Sequence, residues 1–319
     1  VIGSYQACAE LLEEADYISI VTHLRPDADA IGSTVALGRA LELIGKKVTM
    51  HVGQNHPVPR TFLTIPGADR VREAHELPTD QDLIVTVDCG SLDRTGAISG
   101  YLHSRLDDLL VIDHHASNTG FGSTNLIDHT ESTTVILRDL IELLGVRLDK
   151  PMAHALYAGL MTDTGSFRWG SPRMHELAAE LMEHGLDTRQ IAVDLLDATS
   201  TADVQMIGRV LSGLQVRETG NHRAAILIAD VETISGHSHA AVEALIDFVR
   251  ALEGTDIGAV FKEQVPGRWA VSLRSSSLDV SQIAVRQGGG GHVPAAGYTT
   301  FGTREKIVSE FLDVLGETP

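Results

Sequence analysis

The stretch VTHLRPDADAIGS, residues 21–33, puts His23, Asp27 and Asp29 within seven residues, where an apolar run gives way to a helical pattern. A solvated turn has no use for an imidazole and two carboxylates at that spacing, whereas a divalent cation does. Three ligands do not complete a centre, and the rest of the chain supplies more of the same kind. TVDCGS carries Asp88, VIDHH carries Asp113, His114 and His115, and MTDTGS carries Asp163. Carboxylate and imidazole without thiolate suit Mn²⁺, Mg²⁺ or a related metal and argue against a cysteine-rich structural zinc site. Each residue also has an ordinary use. Asp27 or Asp29 can cap a helix, Asp88 can close a turn, and a single histidine can simply be packed. Asp163 resists that reading, because it lies on an otherwise apolar helix and a buried carboxylate requires a partner. The coincidence of all of them points to a metal site.

These residues need a scaffold that gathers them, and the hydrophobic pattern supplies one. Apolar runs at 16–23, 46–52, 82–89 and 108–115 read as buried strands. Residues 29–45 read as a helix ending near Gly45, and 131–145 and 151–165 as two more, the last with Pro151 in its first turn. Strands alternating with helices predict an α/β fold with a doubly wound, mostly parallel sheet. In such sheets ligands bind beyond the carboxyl ends of the strands, where His23, Asp88 and the Asp113-His114-His115 run all fall. Residues 172–214 read as helical throughout. Strands at 222–230, 256–264 and 268–276 follow, with a helix near 239–253, a short one at 280–287, a glycine run and a final helix from about 303. The expected layout is a metal-binding catalytic domain over 1–190, a helical linker over 191–218 and a smaller α/β domain over 219–319.

A length of 319 residues suits two domains of ordinary size rather than one core. A composition 43% hydrophobic and 21% charged reads as soluble and globular, and no apolar run reaches the roughly 18 residues of a membrane span. The opening VIGSYQACAELLEEA lacks a basic segment and looks like an amphipathic helix, so no signal peptide is expected. Cys8 and Cys89 give neither a disulfide framework nor a paired-cysteine metal motif, which fits a reducing cytoplasm. A net charge of −18 argues against a protein that coats long nucleic acid through a broad basic surface. It leaves room for a small phosphorylated substrate in a local pocket.

In order and spacing, VTHLRPDADAIGS, TVDCGS, VIDHH and MTDTGS resemble the four motifs of the DHH phosphoesterase superfamily. SLRSSSLDVSQIAVRQGGGGHVPAAG, residues 272–297, resembles its DHHA1 subdomain, so the resemblance covers nearly the whole chain. Length and layout are similar to the stand-alone branch that acts on short oligoribonucleotides (nanoRNA), pAp and in some members cyclic di-AMP or its linear product pApA. The resemblance implies a hydrolase with two divalent metal ions, Mn²⁺ first and Mg²⁺ or Co²⁺ as substitutes. His23, Asp27 and Asp88 then hold one ion, and Asp29, Asp88, His114 and Asp163 the other, with Asp88 bridging. Asp88, Asp113, His114 and His115 form the implied catalytic set. Asp113 orients an imidazole and His115 approaches the phosphate or the leaving oxygen, while the division of labour between the two adjacent histidines stays open. A homodimer through the first domain is also implied, with no membrane and no long duplex nucleic acid as partner.

The C-terminal residues have chemistry of their own. Arg274, at a strand end, can hold a phosphate bidentately where a lysine cannot. Gly288, Gly289, Gly290 and Gly291 have no Cβ and can bring backbone N–H groups close to a phosphate. His292 adds a donor or an acid, and Ser275 and Ser276 can contact phosphate or cap the strand end. Cys89, beside Asp88, reads as a buried structural thiol rather than a nucleophile. The rival functions are an inorganic pyrophosphatase or exopolyphosphatase of the same superfamily, and a module that senses nucleotides without turnover. GGGGHVPAAG speaks against the first, and a complete ligand set against the second.

Overall fold

Ser4 starts the first helix by accepting the Ala7 N–H on its hydroxyl, and α1 (Tyr5–Glu14) buries Cys8, Ala9 and Leu12. In the computed structural model, which describes residues 2–197, 199–250 and 252–318, this helix belongs to the first of two units, residues 1–198 and 199–319. The first unit continues with β1 (Tyr17–Thr22), α2 (Ala28–Leu43), β2 (Lys47–Val52), β3 (Arg72–Glu73), β4 (Leu83–Val87), α3 (Ser99–His103) and β5 (Leu109–Asp113). Then come β6 (Thr124–Ile127), α4 (Thr133–Leu143), α5 (Lys150–Asp163), α6 (Pro172–Met182) and α7 (Thr188–Leu196). Every pairing in its sheet is parallel and the order is β3-β2-β1-β4-β5-β6, the doubly wound arrangement that the alternating pattern predicts. Strand order reverses between β1 and β4, so the carboxyl ends of β1, β4 and β5 lie side by side at the switch point.

The strands are apolar on both faces because both faces are covered. On one, Ile18, Ile20, Val85, Val87, Leu110 and Ile112 cluster with residues of α2, α4 and α5. On the other, Val21, Ile84, Leu109 and Val111 cluster with Leu77, Ile98 and Leu102. That second face is closed by α3 and 3-10 turns rather than by long helices. The helices α2 and α5 cross at glycines. A Cβ on Gly32 would lie 2.3 Å from the Ala155 carbonyl oxygen, and one on Gly159 would lie 2.6 Å from Asp29 Oδ1. These two absent methyl groups let α5 approach the carboxylate of Asp29.

The second unit contains α8 (Thr201–Leu211), β7 (Gln215–Thr219), β8 (His222–Ala229), α9 (Val231–Ile234), α10 (His239–Glu243), β9 (Ile257–Val265) and β10 (Arg268–Arg274). It ends with α11 (Val280–Arg286), β11 (Gly290–His292), β12 (Ala295–Phe301) and α12 (Arg304–Gly316). Its sheet runs β11-β12-β10-β9-β8-β7, antiparallel except for β8–β9. Phe261 and Phe311, with ring centroids 5.7 Å apart, anchor the core on one face, and Met206, Val210, Leu227 and Val260 anchor it on the other. Residues 191–218, expected as a helical linker, are shared between the units: α7 reaches Leu196 in the first, while Met206 and Val210 of α8 are core of the second. The helix expected near 239–253 is α10 followed by a 3-10 turn, Ala244–Phe248. No helix among the described residues is long and apolar enough to cross a membrane.

His51, on β2, is buried with no hydrogen bond to either ring nitrogen, and burial pulls its pKa from 6.5 down to about 4. The unfolded chain takes up this proton near pH 6.5, so the stability that depends on a neutral His51 is complete above about pH 6.5 and is lost as pH falls toward about 4. The loss by this route is on the order of 3 kcal/mol. Chemical denaturation across that pH window should therefore show a flatter stability curve for His51→Leu than for wild type. Equal slopes would show that His51 does not titrate with folding.

Candidate metal centre

The turn after β1 is fastened before it delivers any ligand. Leu24 N–H donates to the Arg94 carbonyl (2.8 Å), and Arg25, at a left-handed φ of 54°, donates its N–H to Gln54 Oε1 (2.9 Å). Asp27 caps α2 by accepting the Ala30 N–H on Oδ1 (2.9 Å), and its Oδ2 lies 3.7 Å from His23 Nε2. The same Nε2 is 3.5 Å from Asp88 Oδ2. His23 Nδ1 is 2.8 Å from the Leu24 carbonyl oxygen. The carbonyl can only accept and the guanidinium of Arg94, 3.1 Å from the same nitrogen, can only donate, so the two compete for Nδ1 while Nε2 faces the carboxylates. Arg94 reaches this ring at 3.1 Å and brings a permanent cation to the edge of the cluster.

Asp88 stands at the middle. Its φ of 58° is left-handed, a conformation that aspartate tolerates better than most residues, and its N–H still donates to the Ile112 carbonyl at 3.0 Å. Turned this way, one carboxylate addresses three imidazoles: Oδ2 faces His23, and Oδ1 lies 3.6 Å from His114 Nε2 and 3.7 Å from His115 Nδ1 and accepts Thr133 Oγ1–H at 3.0 Å. Asp29 is fully buried, and its two oxygens accept the N–H groups of Thr133 (2.7 Å) and Thr134 (3.0 Å). The N-cap of α4, Ser132, makes no side-chain cap bond, so a carboxylate from α2 caps α4 in its place. His114 Nε2 is 3.3 Å from Asp163 Oδ2 and 4.0 Å from Asp29 Oδ2, while its Nδ1 is held by the Thr130 carbonyl at 3.2 Å. His115 Nδ1 meets Asp113 Oδ1 at 2.8 Å. The other Asp113 oxygen accepts from Asn118 Nδ2 (2.7 Å), which also donates to the Cys89 carbonyl (3.1 Å).

Donor atoms around a cation bonded at about 2.1 Å stand about 3.0–3.4 Å from one another. The separations here are close to that. Within the first unit, three groups of side chains converge tightly enough to hold an ion: His23 with Asp27 and Asp88; Asp29 with His114 and Asp163; and Asp88 with Asp113 and His115. The electrostatics agree. Burial, together with the charges of Asp88 and Asp163, holds Asp29 well above the carboxylate range, and burial lifts Asp163 to about 6. Burial works against charge on His23, but Asp27 and Asp88 outweigh it and raise the ring to about 10. His114 is likewise held above the ordinary histidine range by Asp163 in spite of its burial. The free protein thus collects protons where a divalent cation would sit, and such a cation would displace them. The donor set fits a divalent metal.

Residues 17–160 match the DHH family, N-terminal domain, and residues 225–317 match the DHHA1 domain. The chain belongs to the DHH/DHHA1 superfamily. It is 29% identical over 301 residues to the bifunctional oligoribonuclease and PAP phosphatase NrnA of Thermus thermophilus, covering 92% of this chain and 87% of that one. It is 28% identical over 316 residues to the cyclic-di-AMP phosphodiesterase GdpP of Geobacillus thermodenitrificans; the match takes in 91% of this chain but only 45% of that longer protein. Among solved structures, an exopolyphosphatase-related protein from Bacteroides fragilis superposes with a TM-score of 0.85 at 24% identity, over 98% of this chain and 95% of that one. That likeness speaks for the fold.

In the DHHA1 domain, Arg274 of β10 and His292 of β11 are both register partners of Ala295 on β12, which runs between them. Both therefore sit on one sheet face with only a small residue separating them. The glycine run, expected as a phosphate cradle, also meets two local backbone demands. Gly288, with φ of 78°, donates its N–H to the Val285 carbonyl and Gly289 donates to Ala284, which is a Schellman end to α11. Gly290 and Gly291 continue as strand β11, and a Cβ on Gly291 would lie 2.5 Å from Ala296 Cα. Half of the run is spent on ending a helix and the other half on close strand pairing. Ser275 is buried, donating to the Asp256 carbonyl (2.6 Å) and accepting from Ser277 and Leu278 N–H, so it caps the strand end. Burial, with Asp113 and Asp88 nearby, raises Cys89 well above the usual thiol range, which keeps it an unreactive thiol.

Sequence reasoning missed Thr133, Thr134, Asn118 and Arg94. The first two had a usable signal, since ESTT opens a helix whose N–H groups need an acceptor. Asn118 and Arg94 had none. Asn118→Ala should leave bound metal unchanged while releasing Asp113 and with it the His115 ring. Turnover should drop about 10–100-fold, the usual cost of losing a group that orients a site residue. Metal analysis beside steady-state kinetics checks this, and loss of metal in parallel with activity would put Asn118 in the wrong role.

Proposed function

We propose that this chain is a metal-dependent phosphoesterase that hydrolyses short oligoribonucleotides and related small nucleotides to mononucleotides, with nanoRNA, pAp, cyclic di-AMP and pApA as its substrate class. The observation that carries the reading is the placement of Asp88, whose two oxygens face separate imidazole–carboxylate groups on either side. The names of the relatives, an oligoribonuclease and PAP phosphatase and a cyclic-di-AMP phosphodiesterase, supply the substrate class. We assign His23, Asp27 and Asp88 to one Mn²⁺ and Asp29, Asp88, His114 and Asp163 to the other; Mg²⁺ or Co²⁺ suits the same donors. Two such ions, when bound, acidify water and offset the charge on the phosphoryl oxygens.

The protein's own groups do the rest. Burial disfavours a charge on His115, but the hydrogen bond and charge of Asp113 prevail and keep its pKa raised. With Nδ1 tied to Asp113, this ring turns Nε2–H toward substrate and donates to the phosphate or the leaving oxygen. Arg274 grips a phosphate as a two-pronged donor, and His292 on the same sheet face adds a second contact. We assign the chemistry to the first unit, expected over 1–190, and nucleotide recognition to the second, expected over 219–319, with the helices of 191–218 divided between them. The protein works as a homodimer through its first domain, in the cytoplasm, where its two buried free thiols stay reduced.

Asp88→Ala should lower both metal occupancy and hydrolysis, the latter by more than about 100-fold, because a single side chain serves two ions. Exhaustive chelation should silence the wild type, with Mn²⁺ restoring it better than Ca²⁺, which prefers a looser and larger coordination shell. Turnover should be compared on pApA, a five-nucleotide RNA, pAp, cyclic di-AMP and pyrophosphate. Full metal loading and near-normal rates in Asp88→Ala would refute the shared-carboxylate assignment. Hydrolysis of pyrophosphate alone would move the chain to the superfamily's inorganic chemistry.

A further inference from the structure

We propose that Trp169 is a stacking platform for a substrate nucleobase beside the metal centre, an inference that rests on the nucleotide reading above. Immediately after Asp163 the chain makes three successive left-handed residues, Gly165 (φ 55°), Ser166 (φ 63°) and Phe167 (φ 63°). Two of these are not glycine, and such backbone persists only where its surroundings hold it. Here Ser166 N–H donates to the Met161 carbonyl (2.8 Å), Phe167 N–H to Thr164 Oγ1 (3.1 Å) and Arg168 N–H to the Thr164 carbonyl (2.9 Å). The loop folds Trp169 back over its own start. Its Nε1–H donates to the Asp163 carbonyl at 2.9 Å, and its six-membered ring covers Gly165, where a Cβ would lie only 2.1 Å from the ring.

The two aromatic residues of this loop have different fates. Phe167 turns inward, 5.5 Å from the ring of Tyr157, and packs against the core. Trp169 remains 47% exposed although it is pinned at both its nitrogen and one ring face. Its anchor is the residue whose carboxylate lies 3.3 Å from His114. A flat ring fixed beside a phosphate-cleaving centre matches the face of a nucleobase. Because the ring is already immobilised, little freedom is lost when a base stacks on it. Stacking discriminates weakly among bases, which agrees with a substrate class defined by size and phosphate rather than by sequence.

Two readouts test the platform in the full-length, metal-loaded protein. The chain has two tryptophans, and the other, Trp269, is buried at 3% exposure. Adenosine 5′-monophosphate should quench the exposed indole, ribose 5-phosphate should not, and Trp169→Phe should lack the quench. In steady state, Trp169→Ala should raise KM for pApA about tenfold or more with kcat little changed, and Trp169→Phe should recover most of the loss. On an abasic analogue of the dinucleotide, all three proteins should have the same KM. An unchanged KM in Trp169→Ala on a nucleotide that the wild type turns over, or equal quenching by ribose 5-phosphate, overturns the platform and leaves the nucleotide reading intact. A loss of metal and kcat with KM unmoved overturns it as well and makes Trp169 a support for the Asp163 loop. A wild type that turns over no nucleotide sinks the functional reading and this inference together.

Discussion

Four carboxylates, from Asp27, Asp29, Asp88 and Asp163, converge on His23 and His114 at one edge of a sheet, and like charges so placed repel unless positive charge lies between them. Most of the first unit can be understood as the means of enforcing that unfavourable gathering. Ordinary folding would disperse such groups to solvent. Here Asp29 and Asp88 are almost wholly buried, so the rest of the unit must compensate for their desolvation. Protons meet the need in the free protein, and a divalent cation would meet it better.

The compensation is local and can be traced. Strand order brings the ends of β1, β4 and β5 together, which costs nothing beyond the fold itself. The N-terminus of α4 gives two N–H donors to Asp29 and a hydroxyl to Asp88, replacing water around both. Glycines at 32 and 159 allow α5 to run close enough for Asp163 to reach the same cluster. The carboxylate of Asp29 is therefore held by three helices: it sits on α2, caps α4 and touches α5. Capping and ligation, which compete as explanations when the sequence is read residue by residue, are compatible in Asp27 and Asp29. A carboxylate oxygen has two lone pairs, so one contact does not exclude the other.

This explains what was legible beforehand. The converging carboxylates and imidazoles and the doubly wound sheet could be read because both leave dense local signals: charged residues directly after strongly apolar runs. The strands β6, β11 and β12 could not. TNLI is too short to show a period, and where β11 pairs with β12 all but His292 are glycine or alanine, so that pairing depends on close backbone approach rather than on alternating bulk. For the same reason the glycine run was readable as special, but not its helix end and strand. A Schellman end and a strand need glycine for conformational freedom and for lack of volume, as a phosphate cradle also does. Composition alone does not separate the three.

The three histidines show most clearly what only the fold supplies. His23 and His114 rest their Nδ1 atoms on backbone carbonyls, of Leu24 and Thr130. His115 rests its Nδ1 on the carboxylate of Asp113. At His114 the neutral carbonyl favours the tautomer that leaves Nε2 a lone pair, which is what a metal ligand requires, while at His23 the guanidinium of Arg94 reaches the same Nδ1. A carboxylate also stabilises the ring's positive charge, which suits a group that donates protons. Adjacent residues in one motif thereby rest on different partners, His115 on a carboxylate inside the motif and His114 on a carbonyl outside it. Thr130 lies fifteen residues beyond His115 and enters only through its main chain, so its side chain carries no trace of the role.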